Sequence, residues 1–199
     1  MSWTNWKTPM SSSFSETELL QKIFPMIAPN EDLLVPPGDD CAVFKSGGKN
    51  LSVTIDQLIE GRHYLPGTPA YAVGKKLMAR NLSDIAAMGG RPKFALLASA
   101  TADKDESWLL EFHRGVIEEG EKYKTTVIGG DLARSNRESL SSLTLIGEVE
   151  GSGILRSGAI AGHKIYVTGS FGASFESEHH LNFDPRIEEG LWLNDLLKL

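Results

Sequence analysis

The chain is poor in cysteine, in positive charge and in long apolar runs, and each shortage excludes a class of protein. A single cysteine, Cys41, in 199 residues cannot close an intramolecular disulfide and fits a reducing compartment. Lysine and arginine number 20 against 26 aspartates and glutamates, for a formal charge of −6. That balance argues against a nucleic-acid binder, which shows a basic face. It leaves a nucleotide open, because metal ions held on the acids can screen phosphates. No run approaches the ~18 apolar residues of a membrane span, and the head "MSWTNWKTPMSSSFSE" has no continuous apolar stretch of the kind a secretory signal needs. A cytoplasmic protein is expected, with no membrane and no nucleic-acid partner. A Walker A motif, a GxGxxG after a strand, internal repeats and low-complexity tracts are all missing, so neither a P-loop nor a dinucleotide-binding fold is supported.

What is present reads as alternating helix and strand. "SETELLQKIFPMI" opens on a capping box, Ser15 to Glu18, and is stopped or bent at Pro25. "NLSVTIDQL" alternates, with Leu51, Val53 and Ile55 on one side and Ser52, Thr54 and Asp56 on the other. "PAYAVGKKLMARNLSDIAAMGG" is a helix ended by Gly89-Gly90. "KFALLASA" is a buried strand, and "DKDESWLLEFHRGVIEEGEKY" is a second helix capped by Asp103, with Glu106 three residues on. "TTVIGGD" and "SLSSLTLIGEVEG" are strands, and "KIYVTGSFG" starts another after the Gly-rich turns of "GILRSGAIAGH". This alternation predicts an α/β (α+β) fold, a mixed sheet with helices on one face. Residues 1–14 are expected to be a flexible segment, although Trp3 and Trp6 are unusual for pure disorder. A main domain spans 15–158, and 159–199 is the incomplete start of a second α/β domain.

The stretch "PPGDDCAVF" poses the chemical question, because two adjacent carboxylates, Asp39 and Asp40, run straight into an apolar strand. A divalent cation is one answer. Asp40, Asp56, Asp84 and Asp131 all stand at the edges of elements, Asp131 behind the glycine pair of "VIGGD", and Asp84 shares a helix face with Asn81. Hard cations such as Mg²⁺ take carboxylate oxygens and keep several waters, so acids arriving from separate elements suit a phosphate clamp. Each acid taken alone reads equally as a turn or cap residue with a solvated charge. His63 reads as a packed loop histidine or a functional one. Arg156 reads as a phosphate partner or an ion-pair partner, and Tyr123 as a base contact or a core-closing ring. His179-His180 have no zinc-spaced companions, and Cys41 reads as a buried small hydrophobe rather than a nucleophile.

The words "GDDCAVF", "TIDQLIEGRHYL", "KKLMARNLSDIAAMGGRP", "VIGGDLARS", "LTLIGEVEG", "ILRSGAIAGHKIYVTGSFGAS" and "PRIEEG" follow one another in an order and spacing that resembles the thiamine-monophosphate kinase family. That family shares a superfamily with aminoimidazole-ribonucleotide synthetase and selenophosphate synthetase. The resemblance implies transfer of the ATP γ-phosphoryl group to thiamine monophosphate, giving thiamine diphosphate, with Mg²⁺ as cofactor and ATP as co-substrate. It implies metal ligation by Asp40, Thr54, Ile55, Asp56, Asp84 and Asp131. Ile55 stands where the family commonly has threonine, so only its backbone oxygen could serve. It implies acceptor contact by His63 and nucleotide contact by Tyr123, Gly130, Asp131 and Arg156, with no catalytic group separate from the metal ligands. It also implies a homodimer closed through the exposed sheet faces. Members of the family continue into a second domain with an "SDGL"-type motif, so a C-terminally truncated chain is expected. A non-catalytic nucleotide-binding or dimerisation fragment, and another ATP-dependent synthetase of the same superfamily, remain alternatives.

Overall fold

The computed structural model describes residues 15–170 and 172–197. The expected flexible head, with Trp3 and Trp6, lies outside the described residues. The chain divides into two compact units after Glu31. In the first, α1 (Glu16–Ile23) passes into a 3₁₀ turn, Phe24–Met26, that holds Pro25. Ser15 is the N-cap, yet its side chain accepts no capping hydrogen bond, so the capping box does not form.

The second unit is built on one six-stranded sheet. Its strands are β1 (Leu33–Val35), β2 (Ala42–Ser46), β3 (Lys49–Ile59), β4 (Arg91–Thr101), β5 (Thr126–Arg134) and β6 (Leu140–Glu148). Their order across the sheet is β1-β2-β3-β6-β4-β5. Neighbours run antiparallel except β4 and β5, whose parallel pairing requires a crossover, supplied by α3 (Glu106–Lys122). Helix α2 (Ala70–Ala87) lies over β3, β6 and β4, with α3 and α4 (Ile187–Leu196) against it. The mixed sheet with helices on one face is therefore the observed fold class. Helix α4 and the short strand β1 carry no strong periodic signal in the sequence.

Leu77, Met78, Leu82 and Ile85 of α2 are fully buried with Phe112 and Val116 of α3 and Leu143 and Leu145 of β6. Each such side chain contributes about 1.5–3 kcal/mol through loss of apolar contact with water. Helix α2 ends in a left-handed Gly89, φ 65°, where Gly89 N–H donates to Ala86 O and Gly90 N–H to Ile85 O, each at 2.9 Å. These two bonds satisfy carbonyls that would otherwise be orphaned at the helix end. Helix α3 is capped by Asp105, which accepts from Trp108 N at 2.8 Å. Asp103, the expected cap, instead adopts a left-handed φ of 48° in the turn before it.

Helices α2 and α3 cross backbone to backbone. A Cβ on Gly74 would lie 2.0 Å from Phe112 O, and one on Gly115 would lie 2.1 Å from Tyr71 O.

The alternation of β3 is present, but α2 covers its polar side. Ser52 and Thr54 are buried beneath the helix layer, whereas Ile55 is 66% exposed on the open face with Phe94 and Leu96. The strand expected in "KIYVTGSFG" does not form. Residues 164–168 are coil, and Ile165 and Tyr166 are almost fully exposed, with no partner strand for this segment among the described residues. Farther on, α4 returns to the main body, where a Cβ on Gly190 would meet Ala86 O at 2.1 Å.

Candidate functional site

The acids gather where β2 leaves β3. Pairing between the two strands reaches only as far as Ala42 opposite Val53. Beyond that point β3 keeps β6 on one side, and side chains of α2 fill the other. Asn81, fully buried, donates from Nδ2 to Leu77 O at 2.9 Å, and its Oδ1 accepts from Asp56 N at 3.1 Å. The amide therefore supplies the bond that a neighbouring strand would have made, which a buried N–H requires. Thr54 donates to Asp84 Oδ2 at 2.7 Å. Arg80 grips Asp56 with two bonds, Nε to Oδ2 at 2.9 Å and Nη2 to Oδ1 at 3.0 Å. Such bidentate pairing fixes orientation as well as charge.

Asp39 and Asp40 form the other wall. Asp39 Oδ1 accepts from Asp40 N at 3.0 Å and its Oδ2 from Arg156 N at 3.1 Å. The Arg156 guanidinium pairs with the Asp40 carboxylate. Asp39 is thus the shaper of the turn, and Asp40 presents its charge outward. Burial, with Asp56 and Asp40 adding repulsion against the opposing bond from Thr54, pushes the Asp84 carboxyl up to about 6. Three carboxylates thus share one neighbourhood, offset by two guanidinium groups. Cys41, 2% exposed, has its thiol pushed far above the ordinary range by burial and by Asp84, Asp40 and Asp39. It is an inert packing residue.

Other residues singled out in the sequence lie elsewhere. Ile55 points its side chain to the open face. Asp131 is on β5, in register with Ala98, and β6 and β4 stand between β5 and β3. Three inter-strand steps put it roughly 14 Å across the sheet from Asp56, so no single ion touches both within one chain. Gly130 packs where a Cβ would lie 1.7 Å from Leu97 O, a close approach of backbones that accounts for the glycine structurally. Tyr123 closes the end of α3 against the core. It lines a cavity of about 170 Å³ with Arg91, Lys93, Lys122, Ile187 and Leu191, and burial raises its phenol above the ordinary range.

His63 stands in the loop after β3, its Nδ1 accepting from Ile59 N at 2.9 Å. Burial, then Arg80, Arg62 and Lys76, hold its ring below the usual imidazole range. The sequence reading missed Lys76 and Arg80. Both precede Asp84 at four-residue steps, which on a helix is one face, and that spacing was the available signal.

Among the described residues no group of three or more His, Cys, Asp or Glu side chains stands assembled as a metal cage. The donor chemistry nevertheless fits a hard cation. Mg²⁺ is usually bound through one or two carboxylates, with substrate phosphates and water completing its octahedron, and Asp40, Asp56, Asp84 and the Thr54 hydroxyl offer only oxygen. No helix among the described residues is long and apolar enough to cross a membrane.

A one-sided helix layer over a mixed sheet, with acids collected at the open edge of a strand, defines an α/β domain whose polar site lies between sheet and helix. The chain belongs to the family described as AIR synthase related protein, N-terminal domain, whose model matches residues 38–149. It is similar to thiamine-monophosphate kinase of Haemophilus influenzae, 32% identical over 200 residues, covering 89% of this chain and 60% of that protein. It is likewise similar to thiamine-monophosphate kinase of Escherichia coli K12, 33% identical over 204 residues, covering 91% and 62%. A solved structure described as AaThiL complexed with AMPPCP and TMP superposes with a TM-score of 0.79 at 28% identity, covering 92% of this chain and 63% of that one. The chain thus spans about three fifths of the length of these relatives.

Proposed function

We propose that this chain carries the magnesium- and nucleotide-binding part of an ATP-dependent kinase that converts thiamine monophosphate to thiamine diphosphate. The observation that carries the reading is the meeting of Asp40, Thr54, Asp56 and Asp84 at the open edge of β3. It is supported by similarity to thiamine-monophosphate kinases and to a structure complexed with AMPPCP and TMP. Domain 15–158 would hold the nucleotide, residues 159–199 would begin a second domain, and the enzyme would work in the cytoplasm.

Asp40, Asp56 and Asp84, with the Thr54 hydroxyl and the backbone oxygen of Ile55, would hold Mg²⁺. Bound there, the ions would neutralise two polyanions and fix them in line, which is most of what phosphoryl transfer requires. The chain's own residues prepare that site. Arg80 holds Asp56 aimed through two bonds, and Thr54 orients Asp84. Asn81 locks the spacing of β3 from α2, and the exposed Arg156 guanidinium, paired here with Asp40, would pair with a phosphate in the nucleotide complex. The acceptor oxygen is already ionised at neutral pH, so no general base is needed. His63 would contact the acceptor. Tyr123, Gly130 and Asp131 would serve the nucleotide from the far side of the sheet. A homodimer closed over the open face would cover Val53, Ile55, Phe94 and Leu96.

Calorimetry of the 199-residue chain tests the binding. ATP should bind with Mg²⁺ and lose at least tenfold in affinity in EDTA or in Asp56→Asn, and equal affinity in all three would refute the reading. A second reading is a module that binds Mg²⁺·ATP without turning over. Formation of thiamine diphosphate by this chain decides between the two.

A further inference from the structure

Lys76 is a buried ammonium, 8% exposed, whose hydrogen-bond partners are neutral. It donates to His63 O at 2.6 Å and meets His180 Nδ1 at 2.8 Å. A buried charge normally has a carboxylate beside it. Here the nearest charge acting on Lys76 is Arg80, and burial and that guanidinium lower the amine to about 8. The carboxylates in reach of the two rings are Asp56, already gripped by Arg80, and Glu178. The neighbourhood, with exposed Arg62 at its rim, therefore holds positive charge in excess.

The hydrogen bonds also fix the tautomers. His63 Nδ1 accepts from Ile59 N, so the neutral ring carries its proton on Nε2. His180 Nδ1 accepts from the Lys76 ammonium, which likewise leaves Nε2–H as the free donor. Burial holds both rings below the usual imidazole range, with Lys76 and, at His63, Arg80 and Arg62 adding to it, so both are neutral at pH 7. The His180 ring is held in place by stacking on Phe175, with centroids 4.2 Å apart. Both rings are half-buried and reach solvent, with the ammonium beneath them.

We infer that Lys76, His63 and His180 form an anion cradle for the phosphate monoester of the acceptor. Lys76 and His180 are then specificity-determining residues that favour a phosphorylated acceptor over its free alcohol. The assignment of the anion to an acceptor rests on the function proposed above, whereas the cradle itself rests on the three side chains. The segment around His180 follows the domain that holds the acids, so the cradle ties acceptor recognition to the chain beyond residue 158.

The test is nitrogen-detected NMR of the histidine rings in the ¹⁵N-labelled chain, titrated with thiamine monophosphate, thiamine or inorganic phosphate. The expected starting state is Nε2-protonated for both His63 and His180. Thiamine monophosphate should shift both Nε2 signals and thiamine should not. Lys76→Met, close in volume, should weaken the response at least tenfold, and Lys76→Arg should restore it to within about threefold. If Lys76→Met does not fold, His180→Phe removes one ring donor, keeps an aromatic ring beside Phe175 and should give a similar loss. Shifts with inorganic phosphate but none with thiamine monophosphate would keep the cradle and overturn the acceptor assigned above. Absence of any shift, or an unchanged response in a folded Lys76→Met, would overturn the cradle and leave the separately measured Mg²⁺·ATP binding untouched.

Discussion

Replacing Gly74 by alanine should destabilise the protein although it improves helix propensity. The new Cβ would sit 2.0 Å from Phe112 O and 2.9 Å from Val116 N. A carbon–oxygen contact requires about 3.3 Å, so α2 and α3 must separate by roughly 1.3 Å at the crossing. Both obstructing atoms are backbone, so no rotamer change relieves the clash. Overpacking of this kind costs about 1–3 kcal/mol, and backbone against backbone belongs at or beyond the upper end. The alanine returns about 1 kcal/mol of propensity. A net loss of about 2–3 kcal/mol is expected, read as a lowered urea midpoint at unchanged slope and fixed protein concentration.

Gly115 faces the same crossing from the other helix, where its Cβ would lie 2.1 Å from Tyr71 O. Once one alanine has parted the helices, the second meets less resistance. The Gly74→Ala/Gly115→Ala double variant should fall short of the sum by at least about 1 kcal/mol. Helix α2 is pinned to β3 by Arg80, Asn81 and Asp84, so α3 is the element that yields. Mg²⁺·ATP affinity of Gly74→Ala should therefore stay within a few-fold of the parent. A variant more stable than the parent, or strict additivity of the pair, would refute the close-crossing argument.

Other perturbations separate the remaining contributions. Asp84→Asn should weaken Mg²⁺·ATP binding at least tenfold in calorimetry, and Thr54→Val by about threefold, since Thr54 brings an uncharged hydroxyl and an orienting bond to Asp84 whereas Asp84 brings a full charge; equal losses would show that the Asp84 charge is not the larger contribution. Ile55→Asp places a charge on the exposed apolar face and should leave the monomer folded while abolishing any dimer seen in sedimentation at micromolar concentration. Lys76 gives a pH dependence with a definite sign. Its amine is lowered to about 8, so the unfolded chain holds more protons between there and the ordinary lysine value near 10.4, and native stability should rise with pH across that window. A shift of that size corresponds to about 3 kcal/mol, and screening at the half-exposed rings beside it reduces this to about 2 kcal/mol. Lys76→Met should flatten that rise relative to the parent in chemical denaturation, and parallel profiles would refute the assignment.

The layered fold was legible because long periodic segments carry it. The apolar positions Tyr71, Val73, Leu77, Met78, Leu82 and Ile85, closed by Gly89-Gly90, mark a helix, and the structure buries all of them but Tyr71, which is half-buried. Acids at element edges were legible as candidates, and three of the four come together. Asp131 was not legible as distant, because strand order is a property of pairing and nothing in "VIGGD" states that two strands intervene between β3 and β5. Tyr123 was ambiguous for a related reason. An aromatic residue at a helix end has the same local pattern whether it meets a ligand or the core. The cap of α3 was misplaced by two residues because Asp103 and Asp105 both precede the helix, and only the backbone angle at Asp103 separates turn from cap.

The orientation of β3 was not legible in the sequence. A period of two says that one side of a strand is apolar and the other polar, but it is symmetric as to which side the helices cover. Burying the apolar side is the default expectation. The face of α2 turned to the sheet settles the matter the other way, because Arg80, Asn81 and Asp84 need Asp56, its backbone N–H and the Thr54 hydroxyl as partners. Laying α2 on Leu51, Val53 and Ile55 would have left a buried arginine, amide and carboxylate unsatisfied, each at a cost of several kcal/mol. Leaving Ile55 exposed and Leu51 and Val53 half-buried instead forfeits only part of about 1.5–3 kcal/mol for each, and that part is recoverable when another surface covers them. Polar complementarity between α2 and β3 thus places the candidate site inside the domain and leaves the apolar face outside. The same choice that gathers the acids creates the surface through which two copies would join.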